Sequence, residues 1–249
     1  MHAHAPGILA TVAEAFESSG VDLASLGLAW ARVMPTVILV PAFGLRALPL
    51  PARAVLGLAL AASIFPALAP ASHASLAIPW PLLALGEIVR GLPIAIAAAV
   101  PLWAATMAGG MVDALRGSQE TTSAPSVEGR STPLGVPFSL LASAIFFGTG
   151  GPARVVAALA TRELAPHPLL AAAQDLTSGI ALAVALGGPL LAAAVVIEVA
   201  AALIARAASP AQVHALLAPL RALGILAVLA IVIERFAGAL AHAIQSGMR

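Results

Sequence analysis

Few residues in this chain could take part in chemistry, since its 249 residues include only 11 acids and 12 bases. Glu87 and Arg90 lie three positions apart in an apolar stretch, so a helix would place them on one face where they can pair. Such a pair could serve a proton or ion relay, because charges in a membrane segment need a partner. We favour the alternative, a static intrahelical salt bridge that faces neighbouring subunits.

Two further charges, Glu198 and Arg32, stand apart from any opposite charge within helical reach. Glu198 either stays neutral in an apolar environment or meets an arginine of another helix or subunit, and we favour the second interpretation. Arg32 is a candidate partner for Glu198 or for Glu87.

Asp113 and Arg116 are also three apart, and Gly117 follows at once. This order is typical of a helix C-terminus, where an arginine interacts with the last carbonyl groups and a glycine leaves the helix. The Gly109-Gly110, Gly150-Gly151 and Gly187-Gly188 pairs do not follow strands. We interpret them as hinges or points of close packing.

Catalytic and cofactor motifs are missing from the sequence. It has no cysteine, and we find no glycine-rich phosphate loop, Ser/His/Asp set or His/Glu metal spacing. His2 and His4 are two possible ligands near the N-terminus, which is too few for a metal site. We therefore expect a protein that is not an enzyme and holds no cofactor or metal.

The composition indicates a membrane protein: 61% of the residues are hydrophobic, 9% are charged and the mean hydropathy is +1.02. A soluble domain carries roughly a quarter charged residues. The net charge of +1 forms no basic patch, so nucleic acid is not an expected partner. The first twenty residues hold two acids and no base, which argues against a cleavable signal.

Six hydrophobic segments are long enough to suggest helices, because about 20 apolar residues cross a bilayer core. They cover residues 23–45, 54–70, 80–112, 133–164, 176–208 and 215–244, with a polar linker at 113–132. Prolines and charges interrupt them, and the third is too long and too often interrupted for one straight helix. We expect one all-α, membrane-embedded domain over residues 1–249, built from bent and broken hairpins that other helices cover.

Four stretches resemble the type III secretion export apparatus family, called SctT in injectisomes and FliR in flagella. The first is Arg32 with Pro35, Pro41 and the run 49–60, and the second is Glu87 to Gly91 followed by 108–117. The third is Thr132-Pro-Leu-Gly135 with Phe146-Phe147 and Gly150-Gly151, the most specific of the four. In the fourth, Pro219-Leu220-Arg221 fits the family, but Ser209-Pro210 places the expected proline one position late. The resemblance covers about Leu26 to Phe236, and the second and third strings favour the injectisome SctT/YscT/SpaR-like branch.

The resemblance implies a structural subunit of a hetero-oligomeric export gate in the bacterial inner membrane. Its partners would be SctR-like, SctS-like and SctU-like membrane proteins, lipid, and the unfolded substrate proteins in transit. It would place a gate or hinge at Gly109, Gly110, Asp113, Arg116, Gly117, Pro133, Leu134 and Gly135. Subunit contacts or buried charges would be Arg32, Glu87, Arg90, Phe146, Phe147, Glu198, Arg206 and Arg221.

Two other functions compete with this interpretation. A stand-alone secondary transporter or channel would use Glu87, Arg90 and Glu198 as a binding site at the bilayer midplane, but the sequence shows no convincing repeat. A flagellar FliR-type subunit is the closer alternative.

Overall fold

Seven α-helices with defined ends, one 3-10 turn and a two-stranded ribbon form this computed structural model, which describes residues 18, 22–43, 49–68, 79–117, 122–124, 127–161, 166–208 and 214–247. The helices are α1 (Leu23–Leu39), α2 (Leu50–Leu68), α3 (Trp80–Leu115), α4 (Gly135–Gly148), α5 (Gly151–Ala160), α6 (Pro168–Ala207) and α7 (His214–Ser246). The 3-10 turn is Pro41–Phe43, and the strands are β1 (Thr122–Ala124) and β2 (Val127–Ser131). The all-α class is confirmed, with the ribbon as a small exception.

Helix α1 begins at a side-chain cap and is shorter than the first predicted segment. The Asp22 carboxylate accepts hydrogen bonds from the backbone N–H groups of Ala24 (3.0 Å) and Ser25 (3.2 Å). Such a cap satisfies N–H groups that have no partner inside the helix. The helix contains Pro35, ends at Leu39 and is followed by the 3-10 turn.

Helices α3 and α6 run without a break through the prolines that the sequence suggested would interrupt them. Helix α3 contains Pro93 and Pro101, and α6 contains Pro189 after a glycine pair. The sequence predicted that the third segment is not one straight helix, and the structure shows that its helix is continuous across both prolines. Neighbouring helices support such prolines by surrounding the freed backbone groups. Here α3 is the central helix, packed most extensively against α6 and α1 and also against α4, α5 and α7.

The fourth predicted segment is a bent pair of helices, since α4 and α5 meet at 64°. Gly150 lies at the bend with φ +74°, in the left-handed region that a side chain disfavours. At Gly151 an added Cβ would lie 2.5 Å from the Phe146 ring. The bend therefore depends on both glycines.

Within the described residues, four helices are long and apolar enough to cross a membrane: α2, α3, α6 and α7. The α4–α5 pair would be a fifth span if it counts as one, and α1 is shorter, at 17 residues. At 1.5 Å per residue α3, α6 and α7 measure about 50–60 Å, well beyond a core of about 30 Å. These three helices are therefore longer than a perpendicular crossing of the apolar layer requires.

The core surrounds α3 and consists mainly of small and branched residues. Ala95, Ala99, Ala105 and Ala108 of α3 are completely buried. Because alanine side chains are small, the neighbouring backbones can approach closely. Larger buried side chains come from α3 itself, at Leu102, and from other helices, including Ile64, Phe146, Leu190 and Leu240.

The predicted polar linker at 113–132 has structure at both ends. Helix α3 continues to Leu115, and β1 pairs with β2 in an antiparallel ribbon in which Thr122 faces Ser131 and Ala124 faces Val127. The sequence predicted no strand here. The Ser209-Pro210 turn, both N-terminal histidines and the predicted ends at 44–45, 69–70 and 162–164 lie outside the described residues.

Candidate functional site

A buried charge cluster joins α1 to α3, and we call Arg32, Glu87 and Arg90 the Glu87 site. The Arg32 guanidinium donates from Nε and Nη2 to Glu87 Oε2, each at 2.6 Å. Arg90 Nη1 lies 2.6 Å from the other carboxylate oxygen, Oε1. Each oxygen of Glu87 therefore serves a different arginine, which compensates the burial of its charge.

The same arginine also reaches α5. Arg32 Nη1 donates to the carbonyl oxygens of Leu159 and Thr161, both at 3.2 Å. These carbonyls belong to the C-terminal end of α5, where backbone acceptors lack helical partners and a cation is favourable. One side chain thus connects three helices.

A glycine brings α1 and α3 together beside this cluster. A Cβ added at Gly91 would collide with the backbone carbonyl of Arg32. No rotamer change can relieve a collision with backbone. Gly91 therefore sets the distance at which Arg32 and Glu87 meet, because only a residue without a side chain permits this approach.

A second polar cluster connects the C-terminal end of α3 to the start of α4, and we call Asp113, Arg116 and Leu134 the Asp113 site. Asp113 Oδ1 accepts from Arg116 Nε at 2.8 Å and Nη2 at 2.7 Å, while Oδ2 accepts from the Leu134 backbone N–H at 2.6 Å. The exposed fraction of Asp113 is 0%. Its two oxygens therefore divide their bonds between the end of one helix and the start of another.

Glycines allow the backbones to meet at the Asp113 site as well. A Cβ at Gly109 would lie 2.7 Å from the Leu134 carbonyl oxygen, and one at Gly135 would lie 2.9 Å from Thr132 Oγ1. That hydroxyl accepts a hydrogen bond of 3.2 Å from the Gly135 N–H. A Cβ added at Gly110 would lie 3.6 Å from Thr132 Oγ1, so this glycine has more room. Contact between α3 and the turn before α4 is thus made by backbone.

The other residues of the predicted hinge lie at the end of α3 and in the turn before α4. Gly117 follows the last turn of α3 with φ +77°, as expected for a glycine that ends a helix. Pro133 lies in the turn before α4. Arg116 binds Asp113, although we expected it to interact with the last carbonyl groups.

The predicted aromatic pair occupies two different environments. Phe146 is completely buried, whereas Phe147 is 51% exposed. Both rings make edge contacts with Phe43 of the 3-10 turn, at centroid distances of 5.9 Å and 6.5 Å. Phe146 therefore belongs to the core, and only Phe147 retains surface for a contact outside the chain.

Glu198 pairs across helices, with Arg221 of α7 rather than with Arg32. The distance from Arg221 Nη1 to Glu198 Oε2 is 3.2 Å, and the two side chains are 31% and 55% exposed. Arg206 is exposed at the end of α6. Glu198 therefore has the inter-helix partner that we favoured, at the surface of the described chain.

The chain matches a known protein family over most of its length. The family described as "Bacterial export proteins, family 1", which is the FliR/SctT family, matches residues 23–247. The chain belongs to this family. A relative, the "Secretion system apparatus protein SsaT" of Salmonella typhimurium, is 41% identical over 73 residues, which are 29% of this chain. The match spans 28% of the length of that relative.

FliR/SctT membership makes the chain a component of the type III secretion export apparatus, and its apolar helices make it a multi-pass membrane protein. Among the described residues, no group of three or more metal-ligating side chains comes together. At the Glu87 site one carboxylate instead binds two arginines, and at the Asp113 site one carboxylate binds one arginine. Chemically, both arrangements stabilise helix contacts.

The sequence predicted no role for Asp175 of this FliR/SctT chain. Asp175 lies inside α6, because that helix begins at Pro168 rather than at the predicted 176. It lines a cavity with residues of α3 and α7. The Pro168 start was a usable signal, since proline is common in the first turn of a helix.

Proposed function

We propose that the chain is a structural subunit of the type III export gate. With SctR-like and SctS-like subunits and a neighbouring SctU-like protein, it would form the inner-membrane entry pore for unfolded substrate proteins. Family membership supports the export role, and the observation that carries the proposal is a polar stripe on the outward face of α7.

The α7 stripe consists of exposed residues at helical spacing: Glu234, Arg235, Gly238, His242 and Gln245. Steps of three and four residues place them on one face. The opposite face is buried and apolar, with Ile225, Leu229, Phe236, Leu240 and Ile244. A helix that presented this stripe to lipid would expose an acid and a base, at a cost of about 2.5–3.5 kcal/mol for a charge at the bilayer centre. Other subunits or an aqueous pore would remove that cost.

The rest of the surface also suits an assembly. In the four candidate spans only 17–39% of the most apolar window is buried inside the chain. Arg90, Phe147, Glu198 and Arg206 remain at the surface, so they stay candidates for subunit contacts. Arg32 and Glu87 are enclosed by this chain itself, and Phe146 lies in the core. For these three we now propose an internal structural role.

The Asp113 site would act as the hinge near the gate. The hydrogen bond between Asp113 and Leu134 joins the two ends of the connection between α3 and α4. The α3 end is rigid helix, and the connection between the ends carries the β1–β2 ribbon. Movement of that connection would require the Asp113–Leu134 bond to open.

The injectisome branch is the better supported of the two family branches. The matched relative carries the name of a secretion system apparatus protein, and its 41% identity covers only part of the chain. A stand-alone transporter is less well supported, because Glu87 and Glu198 bind different arginines and form no common site.

Co-expression with the neighbouring membrane genes, purification in mild detergent and native mass spectrometry test the proposal. We expect a hetero-oligomer that contains SctR-like and SctS-like chains. The E234A/R235A variant should lose partner copies, whereas V195A/V196A, an adjacent exposed pair on α6, should retain them. A stable monomer or homo-oligomer without partners would contradict the proposal and favour a transporter.

A further inference from the structure

A cavity of about 200 Å³ lies where α3, α6 and α7 meet. Its polar lining comes from Asp175 and Ser178 of α6 and from Ser246 at the end of α7, with Gly247 beside it. The remaining lining is apolar and includes Val100, Pro101 and Leu182. The cavity is therefore a small polar site between the three longest helices.

The two hydroxyl groups of this cavity have already used their protons. Ser178 donates to the Asp175 carbonyl oxygen at 2.7 Å, and Ser246 donates to the His242 carbonyl oxygen at 2.9 Å. A hydroxyl has one proton to donate and two lone pairs to offer. Both serines therefore present only acceptor lone pairs to a ligand.

A backbone carbonyl supplies another acceptor. In an α-helix the Ala97 carbonyl would accept from the N–H of residue 101, but that residue is proline and has no N–H. Ala97 lines the cavity, and its oxygen lies 3.7 Å from a Cβ built on Gly247. The Gly247 N–H is already bonded to the Ala243 carbonyl, at 3.0 Å. The helix backbone thus presents an acceptor here and no matching donor.

The cavity carries one negative charge, the Asp175 carboxylate, which has no counter-charge among the residues that the structure describes. No ion pair or hydrogen bond reaches the Asp175 carboxylate from the residues that the structure describes, and no arginine lines the cavity. Arg32, Arg90, Arg116 and Arg221 all bind other carboxylates. A half-buried carboxylate that lines the same cavity as several acceptor oxygens, with no donor from the described residues, favours a cation.

We propose that this cavity binds one monovalent alkali cation, which holds α3, α6 and α7 together. A single carboxylate with neutral hydroxyl and carbonyl oxygens balances one positive charge. Calcium sites usually gather 6–8 oxygens including several carboxylates, which this cavity does not offer. Because one water needs only about 10–15 Å³ of such space, the ion would keep part of its hydration shell. The proposal is independent of the role in the export gate.

The experiment is thermal unfolding of the full chain, alone in nanodiscs or within its purified assembly. Lithium, sodium and potassium chlorides are compared with N-methyl-D-glucamine chloride at constant ionic strength. The melting temperature should rise saturably with one alkali cation, by about 3–6 °C at a tenfold excess over Kd. Asp175→Asn should abolish the rise, while Gln174→Ala, which removes the exposed polar side chain next to Asp175 but outside the cavity lining, should leave it intact.

A second variant probes the carbonyl ligand separately from the charge. Pro101→Ala restores the N–H that Ala97 lacks, so the apparent Kd should rise several-fold while the helix remains intact. Equal melting temperatures in all salts, or a cation effect that survives Asp175→Asn, would overturn the proposal. The proposal would also be overturned if the melting temperature did not depend on the cation but fell in Arg249→Gln. That result would mean that an arginine side chain of the chain itself occupies the cavity.

Discussion

Asp113 and Leu134 are joined by a hydrogen bond of 2.6 Å from the Leu134 backbone N–H to the Asp113 Oδ2 atom. The bond closes a connection between α3 and α4 that contains the β1–β2 ribbon. Asp113 is completely buried, so no water replaces the bond if it is lost. This one carboxylate therefore controls how the connection is attached to α3.

Replacing Asp113 by alanine should destabilise this attachment strongly. The Leu134 N–H and the Arg116 guanidinium would both lose a buried, charged acceptor, which corresponds to about 2–4 kcal/mol of unfolding free energy. Denaturant unfolding in mild detergent measures the change, and limited trypsin digestion should cleave at Arg130 faster. Glu234→Gln is the matched control and should change neither. Wild-type unfolding and cleavage in Asp113→Ala would show that the attachment does not depend on this carboxylate.

Substitutions at Glu87 and at Arg90 should differ in their effect on stability. Glu87→Gln leaves Arg32 buried without a counter-charge, so we expect a loss of about 3–5 kcal/mol in unfolding free energy. Arg90→Gln removes a side chain that is 52% exposed, and should cost less than about 1 kcal/mol. Thermal and chemical unfolding of both variants gives the comparison. Similar losses would contradict the dominance of the Arg32–Glu87 pair.

Two glycines of α3 should respond in opposite directions to alanine. Gly91→Ala forces a methyl group against the Arg32 backbone and should lower the unfolding free energy by several kcal/mol, on the order of an overpacked core. Gly86→Ala meets nothing within 4 Å and should raise it by up to about 1 kcal/mol through helix propensity. Circular dichroism melts of the pair provide the test. A neutral Gly91→Ala would mean that α1 and α3 can separate without cost.

The Glu198–Arg221 pair should be weak in the isolated chain. At 3.2 Å and with Glu198 55% exposed, its coupling in a double-mutant cycle should stay below about 1 kcal/mol. If partner subunits cover this surface, the same cycle on the assembly should give a larger coupling. Equal values in both states would argue against burial of this pair by a partner.

The contacts predictable from sequence are local ones. Glu87 with Arg90 and Asp113 with Arg116 are three residues apart, and helical geometry alone brings each pair together. Arg32 had two possible partners, because nothing in the sequence orders α1 against α3. The sequence did not indicate a role for Asp175, because hydropathy placed the start of α6 after it. Element ends depend on capping and packing more than on apolar content.

The sequence by itself determined the membrane class, the helical segments, the family resemblance and the charge pairs within single helices. Composition and spacing carry that information because apolar surface and the 3.6-residue period act locally. Only the tertiary structure decided that Pro93, Pro101 and Pro189 leave their helices continuous, that Arg32 belongs to Glu87, and that Asp113 binds Leu134. These outcomes depend on which helix backbones can lie close to one another. The close contacts at Gly91 and Gly109 form only when α1, α3 and α4 pack together, so the sequence alone does not reveal them.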